Sequence, residues 1–337
     1  APAVGSGGGS DAGGGASAAA GEGGSASGAV DARLARLIAR ARAADGHPPF
    51  SDGALAELAT GAREVVWLDD VAAAVRTVSD ASSASVTEAE FVVDPDARRH
   101  GHGRAMLHRV LVDAPGDLLV WAHGGHPGAR RLAASHGLEP VRELLHLRGV
   151  VPSGAEFAWK THAAGEPLAT LANSVHGAVD ALLATNARAF AEHPEQGRLT
   201  RAEFDALAAE PWFDPEDVLL AWDGDRLAGF CWLKVEGGGP VSTRSTTEGG
   251  GPVSTGSTTG TGSGEFYVVG VDPDYQGQGW GRRLVEAGMA RLASRGIREA
   301  DLYVEADNAP ALRLYREFGF REDSIDIQYR WRSDPGH

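Results

Sequence analysis

The sequence predicts an α/β (α+β) fold that consists of two tandem halves. The strongest indication is a strand-like run that leads into a glycine-spaced loop and then a helix, over Val268–Val285. A weaker copy of the same unit lies upstream, over Phe91–Gly103. Strand-like and helix-like hydrophobic patterns alternate around both copies. With 337 residues, the chain is long enough for two domains of ordinary size.

The first half follows a Gly-, Ala- and Ser-rich tail at residues 1–29, which we expect to be disordered. Asp31 is a candidate N-cap for the first helix, and a second short helix is expected from Ser51 to Leu58. Between 70 and 90 the pattern contains no clean strand hairpin. The other expected elements are a strand at Glu64–Leu68, a helix at Arg104–Val112, a strand at Leu118–Ala122, a helix at Arg130–Leu138 and a closing strand at Arg142–Arg148.

The second half begins after a linker-like stretch, Pro152–Pro167. Within it, residues 237–264 form a low-complexity insert, which we interpret as a long hairpin loop because the entropic cost of loop closure grows slowly with length. The predicted domains are therefore 30–151 and 152–337. The expected elements are helices at Ala178–Phe190 and Arg201–Glu210, strands at Val218–Trp222 and Gly229–Val235, a strand from Glu265, a helix from Arg282 and a strand at Ala300–Val304.

Composition excludes several classes of function. The net charge of −15 argues against nucleic acid or an anionic membrane surface as a partner, and no run approaches the ~20 apolar residues of a membrane span. The single cysteine, Cys231, rules out an intrachain disulfide and is expected to be a small buried hydrophobe. No clustered His or Cys spacing indicates a metal site. The tail lacks the features of a signal peptide, so we expect a cytoplasmic protein.

The glycine-spaced loop of the second half has the chemistry of an anion site. Gln276, Gly279 and Gly281 follow a Q-x-x-G-x-G spacing at the start of a helix. Glycines let backbone N–H groups approach a ligand closely, and the helix N-terminus adds the positive end of its dipole. Such an arrangement holds phosphate groups.

This loop resembles motif A of the GNAT acetyltransferases, and the run Asn308–Phe320 resembles the motif B helix and turn of that family. The resemblance implies that each half is a mixed, mostly antiparallel sheet flanked by helices, with acetyl-CoA as co-substrate. In the second half it assigns acetyl-CoA binding to Val269, Gly270, Val271, Gln276, Gly277, Gln278, Gly279, Trp280, Gly281, Arg282 and Asn308. In the first half the matching positions are Phe91, Val92, Val93, Arg98, Arg99, His100, Gly101, His102 and Gly103.

The resemblance also points to two catalytic residues. Glu265 is the candidate general base, and Tyr315 is the candidate acid that protonates the leaving CoA sulfur. The alternatives are that Glu265 is a solvated charge at the end of the insert and that Tyr315 is a core aromatic. Aligning the halves by their glycine loops and by their Gly137-Leu138 and Gly319-Phe320 turns places Thr87 opposite Glu265 and Ala133 opposite Tyr315. We therefore expect the first half to be non-catalytic.

A more specific resemblance is to the mycothiol synthase family, carried by the tandem halves and by runs such as Phe230–Val235 and Leu302–Asn308. It implies acetylation of the cysteinyl α-amine of cysteinyl-glucosaminyl-inositol. It also implies that Asp52, Glu195 and Lys234, together with the two catalytic residues, contact this small-molecule substrate. The alternatives are a helix cap for Asp52, turn polarity for Glu195 and an exposed strand position for Lys234.

Two rival functions remain open at this point. One is a GNAT enzyme that acts on another amine, such as a protein N-terminus or an antibiotic. The other is a non-catalytic module that binds acyl-CoA, although such a module needs neither Glu265 nor Tyr315. Because the tandem halves form an internal pseudo-dimer, we expect a monomer.

Overall fold

The computed structural model describes residues 30–77, 86–152, 168–174, 177–191, 197–236 and 262–333. The tail at 1–29, most of the insert and Glu195 lie outside the described residues. The helices are α1 (Ala32–Asp45), α2 (Asp52–Thr60), α3 (His102–Asp113), α4 (Pro127–Ser135), α5 (Ala178–Ala189), α6 (Arg201–Ala208), α7 (Trp280–Ser294) and α8 (Ala309–Glu317). The strands are β1 (Arg63–Leu68), β2 (Ala72–Thr77), β3 (Thr87–Val93), β4 (Leu118–Ala122), β5 (Glu139–Val150), β6 (Ala169–Thr170), β7 (Val218–Asp223), β8 (Arg226–Glu236), β9 (Ser263–Val271), β10 (Glu299–Glu305) and β11 (Arg321–Trp331).

The helix starts follow local capping chemistry. Asp31 accepts a hydrogen bond from the Leu34 amide at 2.7 Å and caps α1, as predicted. Ser51, and not Asp52, caps α2, because its hydroxyl accepts from the Ala54 amide at 3.1 Å. The interpretation of Asp52 as a simple helix cap is therefore wrong, which leaves its side chain available for another contact.

All eleven described strands belong to one sheet, in the order β1-β2-β3-β4-β11-β5-β10-β9-β8-β7-β6. Neighbouring strands are antiparallel except for the β3–β4 and β9–β10 pairs. Helices pack on the sheet to form several hydrophobic clusters, and two of these clusters contain residues from both halves. These features confirm the predicted mixed, mostly antiparallel architecture.

The first half contains the strand hairpin that the sequence pattern failed to indicate. β1 and β2 pair from Arg63↔Thr77 to Leu68↔Ala72, and β2 pairs onward with β3. The pattern was misleading because β2 opens with three alanines, which have low β propensity. Small side chains suit this strand because both of its faces are covered: Ala72 and Ala74 face the α3 side, whereas Ala73 faces the α1 side.

The two halves exchange their last strands. β11, from the second half, lies between β4 and β5 of the first half. In the same way β5, from the first half, lies between β11 and β10 of the second half. Hydrogen-bonded ladders therefore run continuously through the junction between the halves.

No helix in the described ranges is long and apolar enough to span a membrane. Within the same ranges, no group of three or more His, Cys, Asp or Glu side chains is arranged to hold a metal ion.

Candidate active site

The sheet opens between β9 and β10. Their parallel register covers two residue pairs, Gly264↔Ala300 and Glu265↔Asp301. Beyond Glu265, β9 stays paired with β8 as far as Val271↔Gly229. The β10-facing backbone of β9 is thus available to an extended ligand, which would add to the edge like a further strand. This stretch includes the predicted positions Val269, Gly270 and Val271.

The loop that follows β9 presents backbone amides to an open space. Gly277 and Gly279 have φ of +73° and +88°, a region that favours glycine, and a Cβ on either would meet no atom within 4 Å. Gly279 is also the N-cap residue of α7, with no side-chain cap. Gln276 closes the loop by donating from Nε2 to the Val271 carbonyl at 3.3 Å. An uncapped helix N-terminus beside an open loop fits a pyrophosphate.

The remaining predicted acetyl-CoA positions of the second half surround this loop. Gln278 donates a hydrogen bond to the Asp274 carbonyl at 2.8 Å. A Cβ atom added to Gly281 would lie 3.5 Å from the Leu314 side chain. Arg282 forms an ion pair with Glu317. Trp280 packs edge-on against Tyr275, and Asn308 caps α8 by accepting from the Ala311 amide at 3.1 Å.

The first half repeats this loop geometry with different side chains. Gly101 has φ of +90° and precedes α3. A Cβ atom added to Gly103 would lie 3.7 Å from the Leu132 side chain. Arg98 replaces Gln276 and donates to the Val93 carbonyl at 3.1 Å, but its guanidinium also binds Asp45 at 2.6 and 2.7 Å.

The other predicted residues of this first loop line its turn. Arg99 has φ of +69° at the position that Gly277 occupies in the second half, so a non-glycine residue holds a left-handed conformation there. His100 and His102 lie beside it, with ring centroids 6.5 Å apart. Phe91, Val92 and Val93 form the end of β3, beyond its last parallel pair with β4, Glu90↔Trp121.

Glu265 is partly buried at the point where β9 and β10 separate. Burial raises the pKa of its carboxyl to about 7, and the negative charges of Asp301 and Asp52 act in the same direction, whereas Lys234 lowers it. A carboxylate with a pKa near neutrality is suited to general base catalysis. Its environment differs from that of a fully solvated charge at the end of the insert.

Three of the predicted substrate residues lie together. Lys234 on β8 is the register partner of Glu265 on β9. The Lys234 ammonium donates to Asp52 at 3.2 Å, and it lies 5.5 Å from the Trp212 ring centroid. The Lys234 side chain is only 14% exposed, so it is not a solvated strand residue. Since Asp52 belongs to the first half, this ion pair joins the two halves at the site.

Tyr315 lies on α8 with 8% of its surface exposed. Its ring packs edge-on against Phe320 at a centroid distance of 5.9 Å, and burial raises the pKa of its phenol. The hydroxyl is therefore protonated at neutral pH and able to donate. Tyr315 shares a cluster with Phe266, whereas Glu265 alternates with Phe266 along β9 and points to the opposite face. The two candidate catalytic groups therefore approach the sheet from opposite faces.

The equivalence of Thr87 and Glu265 is wrong, because β9 contains a bulge. Trp232 pairs with Val268 and Leu233 pairs with Phe266, which leaves Tyr267 as an extra residue. The β2–β3 ladder shows no such shift. The parallel strand pairs give the correct alignment of the two halves. The pair Glu88↔Leu119 in the first half corresponds to the pair Glu265↔Asp301 in the second.

The structural counterpart of Glu265 is therefore Glu88, and its carboxylate is already engaged. It accepts hydrogen bonds from Arg63 at 2.7 Å, from the Trp121 indole at 2.9 Å and from Gln328 at 3.1 Å. These donors occupy both oxygens of the carboxylate, which holds the side chain in the contacts of the first half. At the position that corresponds to Tyr315, Ala133 lies buried on α4 and carries no hydroxyl.

Sequence reasoning missed three residues at the edge of the site. Tyr303 on β10 is 45% exposed, and burial of its phenol together with the carboxylates of Asp326, Glu265 and Asp301 raises its pKa. His146 on β5 stacks on Tyr303 at 4.7 Å and lies 3.3 Å from Asp301. The alternation of Asp301 and Tyr303 on β10 could have predicted that both side chains lie on the same face of the sheet. The position of His146 could not be predicted in this way, because it depends on the exchanged strand β5.

The splayed parallel strands, the amide-lined loop and the half-buried carboxylate define the GNAT class of acetyltransferases, present here as a tandem pair. A family model described as "Acetyltransferase (GNAT) family" matches residues 184–320. A solved tandem GNAT protein from the clavulanic acid biosynthesis pathway has a similar fold, with a TM-score of 0.59 at 15% identity over 90% of this chain and 95% of that one.

Closer similarity is found among curated sequences. The mycothiol acetyltransferase of Clavibacter michiganensis subsp. michiganensis is 48% identical over 302 residues, covering 86% of this chain and 88% of the relative. The mycothiol acetyltransferase of Clavibacter sepedonicus is 45% identical over 303 residues, covering 87% and 90%. The chain belongs to the mycothiol acetyltransferase family.

Proposed function

We propose that this protein is an acetyl-CoA-dependent N-acetyltransferase that acetylates the cysteinyl α-amine of cysteinyl-glucosaminyl-inositol and so forms mycothiol. The observation that carries the proposal is the junction of Asp52, Lys234 and Glu265 beside the opening between β9 and β10. It combines a base near the thioester position with charged groups from both halves, as a polyhydroxylated substrate with a cationic amine requires. Family membership supports the same reaction.

Acetyl-CoA supplies an activated acetyl group when it is bound. The amides around Gly279 would hold its pyrophosphate, and the edge of β9 from Val269 to Val271 would pair with its pantetheine arm. The described residues therefore fit the co-substrate at one end of the opening and leave Glu265 at the other.

In the reaction, Glu265 removes the proton that the substrate ammonium must lose before its nitrogen can attack. The nitrogen forms a bond with the acetyl carbonyl carbon, and the bond between that carbon and sulfur breaks. Tyr315 donates a proton to the departing sulfur, so that the products are the amide and the free thiol of CoA. An α-amine has an ordinary pKa of about 8, and a base with a pKa near 7 is therefore well matched to it.

Substrate recognition is assigned to side chains of both halves. Lys234 and Asp52 would contact the hydroxyl groups of the sugar or inositol, and Glu195 is proposed to do the same. Glu265, Asp301 and Asp52 make this region negative, which favours the binding of an ammonium group. The first half, residues 30–151, is proposed to bind substrate without catalysing the reaction, and residues 152–337 are proposed to carry the catalytic machinery.

The proposal includes a monomeric enzyme with no nucleic acid or membrane partner. A cytoplasmic location is proposed with it, because acetyl-CoA is supplied there. The internal pairing of the halves already completes the sheet that two separate GNAT copies would form.

The test is a competition assay with acetyl-CoA, cysteinyl-glucosaminyl-inositol, cysteinamide and a peptide with an N-terminal alanine, with the acetylated products identified by mass spectrometry. The glycoside is expected to be acetylated with the highest kcat/KM. Preference for the peptide or for cysteinamide would retain the acetyltransferase chemistry and refute the assignment to mycothiol. Binding of acetyl-CoA without acetylation of any amine would instead indicate an acyl-CoA-binding module.

A further inference from the structure

A buried chain of charged groups connects the last strand of the protein with the start of α2. Its central member is His123, which follows β4 and whose side chain is 13% exposed. The ring Nδ1 lies 2.8 Å from Asp326 on β11, and Nε2 lies 3.1 Å from Glu90 on β3. Glu90 and Asp326 are 1% and 9% exposed. The chain therefore joins residues from both halves in the interior.

The geometry defines the state of the histidine. Each ring nitrogen faces a carboxylate, so both nitrogens donate and the ring is an imidazolium. Asp326 also accepts from the Gly124 amide at 2.8 Å. The two carboxylates raise the pKa of His123 to about 10 against the opposing effect of burial. The bridge is consequently intact throughout the pH range in which an acetyltransferase operates.

The other end of the chain reaches α2. Glu90 accepts hydrogen bonds from the Ser51 amide and from the Ser51 hydroxyl, each at 2.7 Å. Ser51 is the N-cap of α2, and the next residue, Asp52, forms the ion pair with Lys234 at 3.2 Å. Four hydrogen bonds thus lead from β11 through His123 and Glu90 to Ser51, and Ser51 directly precedes the residue with which the first half enters the site.

The position of Asp52 cannot come from its own ion pair alone. Its side chain is 89% exposed, and an exposed ion pair contributes about 0–1 kcal/mol. The contacts of Glu90 with Ser51 and His123 are buried and charge-assisted, which makes them stronger and geometrically more specific. The start of α2 is therefore held from the interior, through Ser51.

We propose that His123 is a positioning residue for substrate recognition, which acts through Glu90 and Ser51 to hold Asp52 beside Lys234 and Glu265. This role rests on the proposed function, because Asp52 contributes only if the substrate extends from the amine to the first half. The proposed action of His123 passes through its contacts with Glu90 and Asp326. Its effect is therefore on the binding of the glycoside and not on the chemical step.

The kinetic test compares His123→Asn and Ser51→Ala with the control Asp31→Ala. Both test variants are expected to raise the KM for cysteinyl-glucosaminyl-inositol about tenfold, the amount that corresponds to one charge-assisted hydrogen bond. The KM for acetyl-CoA, kcat, and kcat/KM for cysteinamide are expected to change less than about twofold. The control removes a helix N-cap of the same kind from α1, away from the site, and is expected to leave every constant unchanged.

A second measurement does not depend on the substrate. Hydrogen exchange of the Ala54 and Leu55 amides, in the first turn of α2, is expected to be faster in His123→Asn and Ser51→Ala than in the wild type and the control. If the wild-type enzyme fails to acetylate the glycoside but this exchange increases, the proposed function fails and the positioning of α2 stands. Unchanged exchange, or an equal rise in KM in Asp31→Ala, would overturn the positioning role. If His123→Asn does not fold, the KM for the glycoside and the amide exchange of α2 are compared in Ser51→Ala alone, and unchanged values in that variant overturn the proposal.

Discussion

Asp301 lies directly opposite Glu265 at the last register pair between β9 and β10, where the two strands separate. Two carboxylates on adjacent strands repel each other, so the ionised form of Glu265 is disfavoured by Asp301 as well as by burial. The same strand geometry that opens the sheet therefore also raises the pKa of Glu265, the proposed base.

The pH dependence of kcat should reveal this coupling. Because Glu265 has to be ionised to accept a proton, kcat is expected to rise with pH through a midpoint of about 7. Asp301→Asn removes one of the charges that raise the pKa of Glu265, so the midpoint should move to lower pH by about one unit. The control is Asp323→Asn, which alters the other carboxylate beside His146. An unchanged midpoint in Asp301→Asn would show that Asp301 has no influence on the base.

Glu265 and Glu88 occupy equivalent positions, so matched substitutions test which of them is the base. Glu265→Gln is expected to lower kcat by about 10²–10⁴-fold, the range typical of a lost general base, with little change in the KM for acetyl-CoA. The assay is steady-state kinetics with both substrates. A loss smaller than about tenfold would exclude Glu265 as the base.

Glu88→Gln is expected to give the opposite result. The kcat should stay within about twofold of the wild type, whereas the free energy of unfolding should fall by about 2 kcal/mol, because the buried guanidinium of Arg63 keeps its ion pair with Glu57 but loses its charged hydrogen bond to Glu88. Chemical denaturation measures this loss. A large decrease in kcat without destabilisation would indicate that the first half takes part in catalysis.

The conformation of the pyrophosphate loop can be tested at Gly279. Its φ of +88° is strained for a β-branched residue, at a cost of about 1–3 kcal/mol. If Gly279→Val relieves the strain by distorting the loop, the KM for acetyl-CoA should rise about tenfold or more. The matched control is Gly46→Val, at φ +79° after α1, where a Cβ also meets open space. Equal KM values for the two variants would argue against the loop as the binding site.

The exchange of β5 and β11 predicts that the halves do not fold separately. A fragment of residues 30–151 would contain β5 without either of its neighbours, β10 and β11. It should therefore lack a cooperative thermal transition by circular dichroism, whereas the complete chain should unfold in one transition. A cooperative transition of the fragment would show that its own β4 and β5 can pair in the absence of β11.

Local sequence patterns were sufficient to predict many of the helices and strands. They failed where the pairing of strands that are distant in sequence determines the structure. The helix cap at Asp31 and the strand at Leu118–Ala122 follow from local sequence, and the structure confirms them. The three alanines of β2 hid a buried strand, because burial on both faces overrides intrinsic propensity. The bulge at Tyr267 shifted the alignment of the halves by one residue, which no pattern within β9 reveals.

The candidate site likewise contains residues that local sequence predicts and residues whose positions depend on long-range contacts. The loop around Gly279 and the position of Glu265 could be predicted because each lies within one strand–loop–helix unit. The assignment of Asp52 and Lys234 to one site came only from the family resemblance, and their ion pair was not predicted, since these residues are far apart in sequence. The pairing of Asp301 with His146 depends on the exchanged strand β5, and sequence patterns carry no information about that exchange.

The interlaced strands also determine how the enzyme can discriminate between substrates. Many two-lobed enzymes select a ligand by closing one lobe over it, which requires a hinge between the lobes. Here such a rotation would have to break backbone hydrogen bonds of β5 with both β10 and β11. The placement of Asp52 beside Lys234 is thus set when the chain folds, and we expect selectivity to come from the length and charge of the side chains at this junction of the halves.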